Sequence, residues 1–150
     1  MPKGFNILKS DHTAYVVSSL KDTLTFWVDG LGAKVERTGK AGGATLANIT
    51  GVASGAEADI AMIEIAGQRI EFLQYHGVTP ANTATRRPYD AGAMHLALQV
   101  DDVHAAVALA AQYGYRAQGI PQVGGALKSI NIYTVGPDGA TVEFMQPVAP

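Results

Sequence analysis

The sequence predicts an α+β fold built from two similar βαβββ modules, and three observations carry that reading. Ile70-Glu71-Phe72-Leu73-Gln74 and Val142-Glu143-Phe144-Met145-Gln146 share one pattern: aliphatic, Glu, Phe, long aliphatic, Gln. His12-Thr13-Ala14-Tyr15-Val16-Val17 and His95-Leu96-Ala97-Leu98-Gln99-Val100 both open on His, keep Ala two positions on, and close on Val. Secondary-structure signals then follow each His in the same order. Self-similarity of this kind marks a duplicated unit. The length of 150 residues agrees, because it suits one domain or two small halves and leaves no room for a separate cofactor domain.

In the first half, Ile7–Val17 reads as a strand. Ser19-Leu20-Lys21-Asp22 resembles a capping box and opens an amphipathic helix that stops near Gly30 and Gly32. Phe26 and Trp27 are expected to anchor that helix on its own sheet. Short strands are expected near Ala33–Thr38 and Thr45–Val52. A hairpin should join Ile60–Ile65 to Arg69–Tyr75 across Ala66-Gly67-Gln68. His12 and Glu71 lie further apart than His95 and Glu143, so the first half carries an insertion, placed around Gly39 to Gly55.

In the second half, His95–Val100 is the strand. Asp101 or Asp102 caps a helix through Gln112 that ends at Gly114. Tyr115–Gln118 and Lys128–Val135 are strand candidates. Pro137-Asp138-Gly139 turns the chain into a last strand, Thr141–Gln146. The whole of 1–150 is therefore expected to be a single domain, with module one at 5–76, a linker at 77–93 and module two at 94–147.

Composition narrows the function. Hydrophobic residues make up 47% and charged residues 16%, enough apolar material for a packed core. A net charge of −2 does not suit a nucleic-acid partner. Cysteine is absent, which removes disulfides, zinc-thiolate sites, iron–sulfur clusters and a cysteine nucleophile. No signal-peptide run opens the chain and no apolar stretch approaches the length of a spanning helix, so a cytoplasmic protein with no membrane partner is expected. No P-loop, GxSxG, HExxH or Rossmann fingerprint occurs.

Side chains alternate across a strand. With Leu96, Leu98 and Val100 under the helix, His95, Ala97 and Gln99 face the other way. With Ile70, Phe72, Val142 and Phe144 in the core, Glu71 and Glu143 face away from it. His12, Glu71, His95 and Glu143 thus share the inner side of their sheets. A half-buried carboxylate is costly unless it is paired or bound to a cation. Two His and two Glu answer that cost with a divalent metal, and their donor atoms suit Zn, Ni, Co, Mn or Fe(II).

These stretches, with Asp11-His12-Thr13 through Gly30-Leu31-Gly32 and Pro137-Asp138-Gly139, resemble the vicinal oxygen chelate superfamily of glyoxalases, epimerases, bleomycin-binding and fosfomycin-resistance proteins, and extradiol dioxygenases. The resemblance covers nearly the whole chain. It implies two modules that curl into an open mixed β-barrel around a metal, with His12, Glu71, His95 and Glu143 as its ligands. It also implies a homodimer. An acidic residue at the position of Glu71 is similar to bacterial glyoxalase I. The resemblance therefore implies a lyase or isomerase acting on a small carbonyl or thioester substrate through a metal-stabilised enolate. Glu143 or Glu71 would then be the catalytic base. An Fe(II) extradiol-type ring-cleaving dioxygenase and a non-catalytic small-molecule binding or resistance protein are the alternatives. Bacterial glyoxalases place an Arg where this chain has Val16 and an Asn where it has Tyr75, which weighs against a glutathione thioester.

Further candidates stand nearby. Arg86 and Arg87 in the linker could grip an anionic substrate group. Gln99, Tyr133 and Met145 could line the cavity. Glu64 would lie opposite Glu71 if the hairpin paired residues summing to 135. His76 and His104 read as surface residues, and Gly124-Gly125 before Lys128 as a mobile loop.

Overall fold

The computed structural model describes residues 4–79, 87–124 and 128–148. Among these residues nine strands make two mixed sheets. Sheet one contains β1 (Thr13–Val16), β2 (Lys34–Gly42), β3 (Glu57–Ile65) and β4 (Gln68–His76) in the order β1-β4-β3-β2. Sheet two contains β5 (His95–Gln99), β6 (Arg116–Ala117), β7 (Gln122–Gly124), β8 (Ser129–Val135) and β9 (Thr141–Pro147). Its order is β5-β9-β8-β6, with β7 also on β8. Helix α1 (Leu20–Leu24) runs on as π-helical turns over Thr25–Gly30, and α2 (Gly43–Thr50) and α3 (Val103–Gln112) complete the set. The α+β class holds, and the ladders form two separate sheets with edge strands rather than one closed barrel.

The duplication is visible in the register. β1 runs parallel to β4 with Ala14 opposite Glu71, and β5 runs parallel to β9 with Ala97 opposite Glu143. Beyond each pair one more bond repeats: Val17 N–H donates to Leu73 O and Val100 N–H to Met145 O, both at 2.9 Å. The repeated five-residue motif now has a physical meaning. Ile70, Phe72, Val142 and Phe144 are buried, as expected. Gln74 Oε1 accepts the Leu20 N–H at 2.7 Å, and Gln146 Oε1 accepts the Val103 N–H at 2.9 Å. Each Gln thereby satisfies a helix-start donor that has no partner inside the helix. Asp102, rather than Asp101, caps α3 by accepting the His104 and Ala105 N–H groups at 2.9 Å.

By packing, the chain forms two compact units. One holds Met1–Leu20 and Ala33–Gly77; the other holds Lys21–Gly32 and Val78–Pro150. The first helical segment therefore belongs with the second half of the sequence. Phe26 stacks on Tyr115 with centroids 4.0 Å apart and tilts against Tyr113 at 5.6 Å. The expectation that Phe26 anchors the helix on its own sheet is corrected: both of these aromatic partners come from the chain after α3. Gly30 admits that contact, since a Cβ there would stand 3.0 Å from the Tyr113 ring.

Other expectations also change. The first strand starts at Thr13, and residues 4–12 before it are exposed and form no strand. Thr45–Val52 is not a strand but mostly the helix α2. Gly51 ends it in a left-handed cap (φ 76°) and returns its N–H to Ala47 O. Leu46 then buries itself against Ala56 and Ala58, with Ala41, Ile60 and Tyr75 around them. This helix lies within the expected insertion. The hairpin pairs Met62 with Glu71 and Glu64 with Arg69, so its partners sum to 133 rather than 135. The turn is the two residues Ala66-Gly67, both at positive φ (49° and 80°), as a right-twisted two-residue hairpin requires. In the second half β7 was not anticipated. It pairs with β8, and Gly124 closes it, so Gly124 is strand rather than loop; Gly125 lies outside the described residues. With β6, it occupies the edge that β2 fills alone in sheet one.

Two outcomes follow. Ala66→Asn should stabilise the protein by about 1 kcal/mol in urea unfolding, because Asn tolerates the left-handed region that an Ala Cβ disfavours; unchanged or lower stability would contradict the turn. Gln146→Ala should cost about 1 kcal/mol by orphaning the Val103 N–H, and an effect within error would show that water replaces the cap.

Candidate metal centre

The parallel pairing in each sheet brings a His beside a Glu. In sheet one, His12 Nε2 lies 3.4 Å from Glu71 Oε2, with side-chain exposures of 33% and 17%. In sheet two, His95 Nε2 lies 3.2 Å from Glu143 Oε2, with exposures of 41% and 14%. The face opposite each Glu is core, since Ile70 and Phe72 flank Glu71, and Val142 and Phe144 flank Glu143. Strand alternation therefore keeps both carboxylates off the core face while burying most of their surface.

The surroundings of the two pairs differ. In the first, Asp11 Oδ1 lies 3.1 Å from His12 Nδ1. Lys9 Nζ contacts Asp11 Oδ2 at 2.8 Å and Arg69 Nη1 contacts its Oδ1 at 3.1 Å. The hydrogen bond from Lys9, then that of His12, holds the Asp11 carboxyl far below the usual carboxylate range. Arg69 is itself fixed by Glu36, Nε to Oε2 at 2.7 Å, and this contact raises its pKa. In the second pair, Tyr133 sits opposite Glu143 in the ladder. Its ring lies against His95 with centroids 4.8 Å apart, and its hydroxyl stands 3.5 Å from His95 Nε2. Burial first, and then the charge of Glu143, raises the Tyr133 pKa, so the phenol stays protonated.

These contacts bear on a cation. A neutral imidazole donates from one ring nitrogen only. His12 has carboxylates at both nitrogens, so donation to Asp11 leaves the Nε2 lone pair facing the Glu71 carboxylate. Two acceptors at that distance need a proton or a metal between them. Imidazole nitrogen and carboxylate oxygen fit Zn, Ni, Co, Mn or Fe. The donor chemistry fits, pair by pair. Among the described residues no three His, Cys, Asp or Glu side chains are placed so that together they could hold one metal ion.

The remaining candidates fall as follows. Gln99 is exposed on β5, two residues beyond Ala97 on the face of His95. Arg87 is held at home: its guanidinium contacts Asp90 at 2.9 Å and lies over the Tyr89 ring at 4.7 Å. Arg86 lies outside the described residues. Glu64 shares the face of Glu71 but stands opposite Arg69, and its Oε1 accepts the Gly67 N–H at 2.7 Å. Its carboxylate serves the turn, because the shifted hairpin register moves it away from Glu71. Met145 is half-buried on β9. His76 is exposed and pairs with Asp59 at 3.0 Å, and His104 is exposed in the first turn of α3. Asp11 and Arg69 were missed as participants. The adjacency of Asp11 to His12 was the available signal; the contact with Arg69 needed the fold.

No described helix is long and apolar enough to cross a membrane. Comparison with curated proteins gave no match. Among solved structures, a glyoxalase family protein from Bacillus cereus superposes with a TM-score of 0.85 at 21% identity, covering 99% of this chain and 100% of that one. The trypanothione-dependent glyoxalase I of Leishmania major gives 0.62 at 20% identity, with 90% and 84% coverage. The fosfomycin resistance protein FosX of Listeria monocytogenes, solved with Mn(II), gives 0.64 at 15% identity, with 95% and 93% coverage. At these identities the likeness is one of fold. The family model for the Glyoxalase/Bleomycin resistance protein/Dioxygenase superfamily matches residues 9–144. With the paired modules and the repeated His–Glu register, that match spans nearly the whole molecule, and the chain belongs to this superfamily, the vicinal oxygen chelate group that its sequence resembles.

Proposed function

We propose that the protein is a divalent-metal-dependent lyase or isomerase acting on a small carbonyl or thioester compound by carboxylate-mediated proton transfer. The observation that carries this reading is the repeated contact of His Nε2 with Glu Oε2, at 3.4 and 3.2 Å, beside the equivalent ladder pairs Ala14–Glu71 and Ala97–Glu143 of two different sheets. His12, Glu71, His95 and Glu143 are the proposed ligands. A bound divalent cation supplies Lewis-acid polarisation of a substrate carbonyl, which acidifies the neighbouring carbon.

The chain's own groups supply the rest. Glu143 is the better proton carrier: it is the less exposed carboxylate, and a half-buried base is sheltered from competing water. Glu71 is the second, mirrored in the other sheet. The protonated Tyr133 hydroxyl beside His95 is a hydrogen-bond donor for a substrate oxygen. Gln99, exposed on the same strand face as His95, offers an amide for orientation.

Metal uptake tests the reading. Mn(II), the ion named with the Listeria protein, is the first to load. Wild type should retain close to one equivalent per site after dialysis, and the double variant His12→Ala/Glu143→Ala should retain less than about a tenth while keeping its circular dichroism spectrum. Equal retention by both proteins would refute the ligand set. In the loaded enzyme, Glu143→Gln should lower kcat by roughly 100-fold or more, with the rate the same in air and under nitrogen. A rate that requires oxygen would favour ring-cleaving dioxygenase chemistry instead.

A further inference from the structure

The two halves build the same His–Glu contact, yet among the described residues only the first carries a charge network on the far nitrogen of its imidazole. The residue before His12 is Asp11; the residue before His95 is Met94, which is exposed. Sheet two thus reaches the same ladder geometry without a carboxylate at that position, so Asp11 is not required by the fold. Something else accounts for the charged chain in which Glu36 holds Arg69, and Arg69 and Lys9 hold the Asp11 carboxylate that contacts the His12 ring.

The assembly depends on an irregularity in β2. Pairing with β3 runs Lys34 to Glu64 and Val35 to Ile63, then resumes with Arg37 opposite Met62. Glu36 is the extra residue of a β-bulge. Bulges re-aim side chains and occur beside functional sites. Here the bulged residue reaches across to β4, where its carboxylate holds Arg69 Nε at 2.7 Å. Arg69, opposite Glu64 on β4, extends its other nitrogen to Asp11 Oδ1 at 3.1 Å. Asp11 in turn stands 3.1 Å from His12 Nδ1. A lone exposed ion pair contributes little. A guanidinium held at two different nitrogens by carboxylates from two chain segments is fixed in orientation.

We infer that Asp11, held by Arg69 and through it by Glu36, is a positioning residue that fixes the His12 ring with its proton on Nδ1 and its Nε2 lone pair turned toward the ligand side shared with Glu71. This deepens the metal-site reading and rests on it for its purpose. A ligating histidine whose other nitrogen donates to a carboxylate is a stronger and better-aimed donor, and losing that partner typically costs ~10–100-fold in metal affinity. His95 sits against the Tyr133 ring instead. His12 is therefore the pre-set ligand of the two.

The test combines Mn(II) titration of the full chain with long-range proton–nitrogen NMR of the metal-free protein, which reads the ring nitrogen that carries the proton in the neutral form. Wild-type His12 should show the Nδ1–H tautomer. Asp11→Ala should shift it to Nε2–H and weaken Mn(II) binding roughly 10–100-fold, with an unchanged thermal midpoint for the fold. Arg69→Met should weaken binding less, and should change affinity less than about twofold when added to Asp11→Ala, because its effect passes through Asp11. An unchanged tautomer in Asp11→Ala, or an Arg69→Met effect as large in that background as in wild type, would overturn the inference. If wild type takes up no Mn(II), the functional reading fails, and the tautomer comparison alone decides for or against the positioning role.

Discussion

Two half-buried glutamates on the strand faces opposite the core, each beside an imidazole nitrogen, are the constraint around which the molecule is organised. Putting a carboxylate there is unfavourable without a compensating charge. The parallel pairing of β1 with β4 and of β5 with β9 sets that compensation in place, because it fixes where each His stands relative to each Glu. The motif residues around the glutamates serve the same end. Their aliphatic and Phe neighbours bury into the core, and their Gln neighbours hold the starts of α1 and α3 at the ends of the same strands. Shifting either strand by one residue would place the Glu in the core and the Phe at the site.

The halves have diverged on top of that common register. Sheet one gained α2, which seats Leu46 on Ala56 and Ala58, and a bulge that directs Glu36 to Arg69. Sheet two kept a split edge of β6 and β7 and placed Tyr133 beside its His. One imidazole is thus braced by charge and the other by an aromatic ring carrying a protonated hydroxyl.

Much of this was legible in the residues. The repeat, the placing of each Glu beside its own His and off the buried strand face, the Asp-capped α3 and the closing turn all rest on local patterns of period two or on turn chemistry, and these survive folding. What escaped was set by tertiary contact. Thr45–Val52 has the composition of a strand, but Leu46 finds a hydrophobic seat only as part of a helix. The hairpin register turned on whether the turn held two residues or more, and Ala66 gave little signal of adopting positive φ. Phe26 carries helical periodicity, which says which face is buried but not which aromatic residues meet it. The Arg69 bridge joins residues from three segments, so no local window contains it.

The central claim is that the histidines and glutamates paired on the two sheets are ligands of a cation. X-ray absorption at the metal edge of the Zn-loaded protein tests it most directly, since imidazole rings leave a multiple-scattering signature that oxygen ligands lack. The account predicts two imidazole nitrogens at about 2.0–2.1 Å, with the remaining shell made of oxygen; a first shell of oxygens with no imidazole scattering would contradict it.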